Sequence, residues 1–182
     1  MSEEIFSLKQ IEYETVQIEG QMKILRFLCL VSVVLFVNGC GPQGELGVQA
    51  PKLRIAEWVK GNPVVIVPEK IYVMEFWATW CPPCRESIPH LTQLQKEYKN
   101  DVIFIGIRQE DSTIVRPFVE QMGNTMNYIV AVDDHGSTTR EYMMPFKVRG
   151  IPHAFVIKDG KIVWHGHPMD GLDEFLNEAV SG

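Results

Sequence analysis

The chain has little cysteine, no basic stripe and no apolar run long enough to cross a membrane. Seventeen Lys and Arg stand against 23 Asp and Glu, for a net charge of −6, and without a basic face a nucleic-acid partner is excluded. Its longest apolar run, Phe27 to Val37, has eleven residues. A spanning helix needs about 20, whereas the core of a signal peptide needs about 7 to 15. The four cysteines matter by placement: Cys29 lies inside that run, Cys40 ends it, and Cys81 and Cys84 form a Cys-x-x-Cys pair. With 46% hydrophobic and 22% charged residues, the rest has the composition of one ordinary globular core.

The N-terminus reads as an address. Residues 1–21 are acidic, with Glu3, Glu4, Glu12, Glu14 and Glu19 against Lys9, and Lys23 and Arg26 then precede the apolar run. A signal peptide begins with positive charge, so translation is expected to start at Met22, leaving 1–21 as a mis-called or disordered extension. Val37-Asn38-Gly39-Cys40 resembles the lipobox of bacterial lipoproteins. The resemblance implies a signal peptide over 22–39, a lipid on Cys40 and a membrane-anchored chain on the extracytoplasmic side of a bacterial envelope. Residues 40–52, rich in Gly and Pro, suit a flexible tether, and 53–182 is expected to be the folded domain.

Within that domain strand-like and helix-like segments alternate. Val64 to Val67 is a short β-branched run, and Ile71 to Trp77 and Val102 to Ile107 read as buried strands. Pro82 to Tyr98 has helical spacing, and Ser112 is placed to cap a helix ending at Gly123. Tyr128 to Val132 is strand-like and Ser137 to Phe146 helical. Ala154 to Lys158 and Lys161 to Trp164 flank Asp159-Gly160, a pair that favours a tight hairpin. Leu172 to Val180 closes the chain as a helix. The pattern predicts one α/β domain with a mixed sheet.

The strand ending near Trp77 feeds a helix whose first turn opens at Pro82, which puts Cys81 at the helix N-terminus. Free N–H groups and the helix dipole there favour a thiolate, and Pro82 suits a position whose N–H has no helical partner. Cys84 follows on the same face, near enough to bond. An exposed attacking thiol with a second behind it is what disulfide exchange needs. Two other readings exist. The pair could be half of a zinc site, but His165 and His167 are the only close candidates for the other half. It could be a purely structural disulfide, but so small a loop contributes little chain-entropy stabilisation.

Glu75-Phe-Trp-Ala-Thr-Trp-Cys-Pro-Pro-Cys84, with Pro89 and with Gly150-Ile151-Pro152, resembles the thioredoxin superfamily, and within it the TlpA/ResA-like membrane-tethered reductases. Between Ile107 and Ile151 there is room for the extra strand and helix of that branch. Peroxiredoxins share the insertion, but their reactive cysteine follows a Thr or Ser by three positions, and here that position is Ala78. The resemblance implies a thioredoxin-like fold with a central mixed sheet flanked by helices. It implies an attacking Cys81, a resolving Cys84 and a cis Pro152 whose neighbour Ile151 offers backbone to an extended substrate. Trp80, Pro82 and Pro83 border the same surface. Trp77 is expected in the core, and His153 stands where Thr is common. Glu75 takes the place of a buried acid that accepts the Cys84 proton; burial raises such a pKa. The implied partners are disulfide-containing proteins, apocytochrome c among them, and a membrane thiol electron donor. No metal and no cofactor beyond the cysteine pair is expected.

Two prolines between the cysteines donate no N–H to the Cys81 sulfur. A less stabilised thiolate means a more reducing pair, so reduction is favoured over oxidation or isomerisation. A lipid-anchored module that binds partners without turnover is the remaining alternative.

Overall fold

The computed structural model describes residues 44–181. The signal segment, Cys29 and Cys40 lie outside the described residues. Among the described residues six strands and four α-helices are formed: β1 (Ile55–Lys60), β2 (Ile71–Phe76), α1 (Pro82–Glu97), β3 (Val102–Arg108), α2 (Ser112–Met122), β4 (Ile129–Asp133), α3 (Ser137–Met143), β5 (His153–Lys158), β6 (Lys161–Gly166) and α4 (Leu172–Ser181). They make one mixed sheet in the order β1-β4-β3-β2-β5-β6. β2, β3 and β4 run parallel, and β1, β5 and β6 pair antiparallel to their neighbours. The inserted strand and helix expected ahead of Ile151 are β4 and α3.

Alternation along β2 sorts the two cores, because successive side chains leave a strand on opposite faces. Val73 and Trp77 pack with Ile88, Leu91 and Leu94 of α1, Val115 and Val119 of α2, and Leu172 and Leu176 of α4. Tyr72, Met74 and Phe76 face the other way, onto Tyr142 and Met143 of α3 and Phe155. Fully burying one such side chain contributes about 1.5–3 kcal/mol, so β2, buried at every position, is the spine of the domain.

Several local expectations shift. Val64 to Val67 forms no strand, although Val64 and Ile66 point into the core and Val65 is 80% exposed. Its backbone is tied to a side chain instead: the Tyr72 hydroxyl accepts the Val67 N–H at 3.1 Å and donates to Val65 O at 3.2 Å. The first strand lies earlier, at Ile55–Lys60. Asp111, not Ser112, caps α2, its carboxylate accepting the Thr113 N–H at 2.9 Å. The hairpin follows its turn chemistry, with Asp159 at φ 53° and Gly160 at φ 71°, the paired positive angles of a type I′ turn. Residues 44–50, within the stretch assigned to the tether, run beside β6: Gly47 N–H donates to Ile162 O, Ile162 N–H to Val48 O and Ala50 N–H to Gly160 O.

Candidate active site

Cys81 and Cys84 form a disulfide, with Cα atoms 5.3 Å apart. The geometry begins with the helix start. Cys81 is the N-cap of α1 in an extended conformation, and Pro82 and Pro83 occupy the first turn, where a missing N–H costs nothing. The first free N–H is that of Cys84, which donates to Cys81 Sγ at 3.3 Å. The two prolines supply no donor, but the third position does. The loop leading in is held as well. Glu110 accepts the Thr79 N–H at 2.8 Å and its hydroxyl at 2.5 Å.

The Ile151–Pro152 peptide bond is cis, and Ile151 O lies 3.8 Å from Cys81 Sγ. Cys81, Cys84, Ile151 and Pro152 are thus brought together from two distant segments. Trp80, 67% exposed, and the exposed Pro82 and Pro83 form the surface around them. Trp77 is core, its ring tilted against that of Phe118 with centroids 5.3 Å apart. One expectation is corrected: the attacking cysteine is not openly exposed. Cys81 is 3% accessible and Cys84 fully buried. In the disulfide the Cys81 sulfur turns inward to its partner, beneath the Ile151–Pro152 segment.

Glu75 lies on β2, two residues before Trp77 and on the same face, and is 1% exposed. Desolvation pushes its pKa up to about 8, against the opposing effect of hydrogen bonds from Tyr128 and Ser87. Tyr128 Oη is 3.3 Å from Oε2 and Ser87 Oγ is 3.3 Å from Oε1. Ser87 also donates to Cys84 O at 2.8 Å. Ser87 thus bridges the Glu75 carboxyl and the Cys84 backbone. An acid neutral below about pH 8 can exchange a proton with a thiol of ordinary pKa near 8.5.

Sequence reasoning missed Ser87, Tyr128, Arg108 and Glu110. Ser87 was within reach, since a residue three beyond Cys84 shares its helix face. Tyr128 needed the tertiary fold. His165 is half-buried, its Nδ1 3.0 Å from His153 Nε2 and its ring stacked on Phe155. Burial, then the neighbouring His165 and His167, lowers the His153 pKa to about 4.

The chain is similar to several known proteins. The thiol-disulfide oxidoreductase ResA of Bacillus thuringiensis subsp. konkukian (strain 97-27) is 30% identical over 144 residues, covering 75% of this chain and 79% of that protein. A crystal structure of a thiol:disulfide interchange protein of the thioredoxin family from Chlorobium tepidum TLS superposes with a TM-score of 0.61 at 25% identity, over 76% of this chain and 99% of that one. The solution structure of a thiol:disulfide interchange protein from Bacteroides sp. shares the fold, with a TM-score of 0.64 at 20% identity over 76% and 91% of the two chains. Residues 48–165, which carry Glu75, the cysteine pair and the cis proline, match the AhpC/TSA family. With this fold and these relatives, the chain belongs to the AhpC/TSA family of thioredoxin-like proteins.

Proposed function

We propose that this chain is an extracytoplasmic, lipid-anchored reductase of protein disulfides. The observation that carries the chemistry is the Cys81–Cys84 bond at the start of α1, set against a cis proline with a proton-holding Glu75 behind it. The exchange balances without any other group. In the reduced protein the Cys81 thiolate attacks one sulfur of a substrate disulfide, breaking that bond and releasing the first substrate thiolate. Glu75, in its ionised form, takes the Cys84 proton, and the Cys84 thiolate attacks Cys81 Sγ. The second substrate thiolate leaves, and two electrons have passed to the substrate. The protein is left as the Cys81–Cys84 disulfide, to be reduced again by a membrane dithiol.

The reducing direction is supported by the sparse donors on the Cys81 sulfur, a single N–H at 3.3 Å. Anchoring through Cys40 is supported by the lipobox-like Val37 to Cys40; no helix among the described residues is long and apolar enough to cross a membrane. Cytochrome c maturation, or a related envelope thiol pathway, is the process this reductase would serve. Equilibration against a dithiol buffer tests the direction. A potential near the −270 mV of thioredoxin supports reduction, and one near the −120 mV of DsbA supports oxidation instead. Mass spectrometry of the envelope-derived protein tests the anchor, with a diacylated N-terminal Cys40 as the expected species.

A further inference from the structure

The turn that leads into the redox centre is gripped by one carboxylate. Ala78 O accepts the Cys81 N–H at 3.2 Å, closing a β-turn over Thr79 and Trp80. At Thr79 the Glu110 carboxylate takes both donors of the residue, the backbone N–H on Oε2 at 2.8 Å and the hydroxyl on Oε1 at 2.5 Å. Two bonds from one carboxylate to one residue fix its orientation as well as its distance.

The carboxylate is itself fixed. Glu110 stands between the end of β3 and Asp111, which caps α2. Its Oε2 pairs with Nη2 of Arg108, whose side chain is fully buried and whose guanidinium lies 5.8 Å from the centre of the Trp77 ring. Nε and Nη1 of Arg108 have no partner among the described residues. A buried cation left alone is costly, so Arg108 holds Glu110 from the protein interior, without meeting solvent or substrate.

What the turn controls is the conformation of Cys81. That residue caps α1 with φ −91° and ψ 106°, and this extended backbone puts its sulfur 3.3 Å from the Cys84 N–H. With Pro82 and Pro83 in the first turn, no N–H of theirs can substitute if the sulfur drifts. Thiolate stability at Cys81 is therefore sensitive to small movements of the turn.

We propose that Glu110 is a positioning residue for disulfide exchange: by gripping Thr79 it holds the turn that keeps the Cys81 sulfur at the Cys84 N–H. The role rests on the exchange function proposed above and acts in the reduced protein, where Cys81 is a free thiol.

The test is the pH profile of Cys81 alkylation by iodoacetamide in the reduced protein, for wild type, Thr79→Val, Thr79→Ser and Glu110→Gln. Reduction of hydroxyethyl disulfide is followed alongside. Thr79→Val keeps the shape of the side chain and loses its hydroxyl. Its alkylation midpoint is expected to rise by about half a pH unit, leaving about threefold less thiolate below the midpoint. Thr79→Ser keeps the hydroxyl and returns the midpoint to the wild-type value. Glu110→Gln has one acceptor oxygen in place of two, moves the midpoint in the same direction, and serves should Thr79→Val not fold. An unmoved midpoint in either variant when folded, or an equal shift in Thr79→Ser, overturns the positioning role. Wild type that is alkylated at Cys81 yet reduces no hydroxyethyl disulfide overturns the exchange function, and the role within it, whatever the midpoints.

Discussion

Glu75 and Gly106 stand opposite one another in the parallel pairing of β2 and β3, and a methyl group at 106 would lie 2.9 Å from Trp77 Nε1 and 3.0 Å from Tyr128 Cε2. The absence of a side chain on β3 is what gives the tyrosine ring room to reach the buried carboxyl. Gly106→Ala is therefore expected to destabilise the oxidised protein by about 1–3 kcal/mol through overpacking. Urea denaturation at neutral pH measures it, and a loss below a few tenths of a kcal/mol would contradict the close approach.

Glu75 also sets a pH dependence. Its native pKa of about 8 lies above the ordinary 4.5, so between those values the unfolded chain releases a proton that the native state keeps. Stability contributed by the neutral carboxyl is complete below about pH 4.5 and is lost as pH rises toward about 8, by at most about 1.4 kcal/mol per unit. Glu75→Gln is expected to remove this slope. Denaturation of the oxidised protein from pH 5 to 8 is the measurement, and parallel curves for the two proteins would refute a buried neutral acid.

Tyr128 stabilises the charged form of Glu75. Its hydrogen bond lowers the carboxyl pKa, so in Tyr128→Phe that pKa should rise further. The inflection in the pH profile of mixed-disulfide resolution then moves to higher pH. An unmoved inflection, with resolution still fast, would place the proton acceptor elsewhere.

The cysteines should separate by reactivity. Cys84→Ser is expected to accumulate mixed disulfides through Cys81, and Cys81→Ser none. After reduction of the wild type, iodoacetamide should modify Cys81 many times faster than Cys84. An inert Cys81 would end the exchange mechanism.

Pro83 offers a handle on potential. Pro83→Ala returns an N–H to the first turn beside the Cys81 sulfur, and more thiolate stabilisation means a more oxidising pair. A rise of about 30 mV, equivalent to about 1.4 kcal/mol, is expected in dithiol equilibration. A fall would show that the prolines act through something other than missing donors.

Local chemistry made much of this legible before any coordinates. The Asp159-Gly160 turn, the helix opening at Pro82 and the cis-capable Ile151–Pro152 step each depend on a few neighbouring residues. What was not legible depends on distant ones. β1 is an edge strand with two register shifts against β4, and such irregularities erase the two-residue alternation by which strands are recognised. Val64 to Val67 keeps that alternation without being a strand, because Tyr72 takes its hydrogen bonds. Arg108 follows a buried apolar run and reads as its solvent-facing end. Only the packing of Trp77 and Glu110 around it reveals that it turns inward.

Residues 47–50 cover the start of β6, since their backbone groups pair with Gly160 and Ile162 on the outer row that a terminal strand would otherwise present. An uncovered row of this kind invites pairing with another molecule. A shortened chain starting at Pro51 would thus keep its redox centre yet acquire a sticky margin.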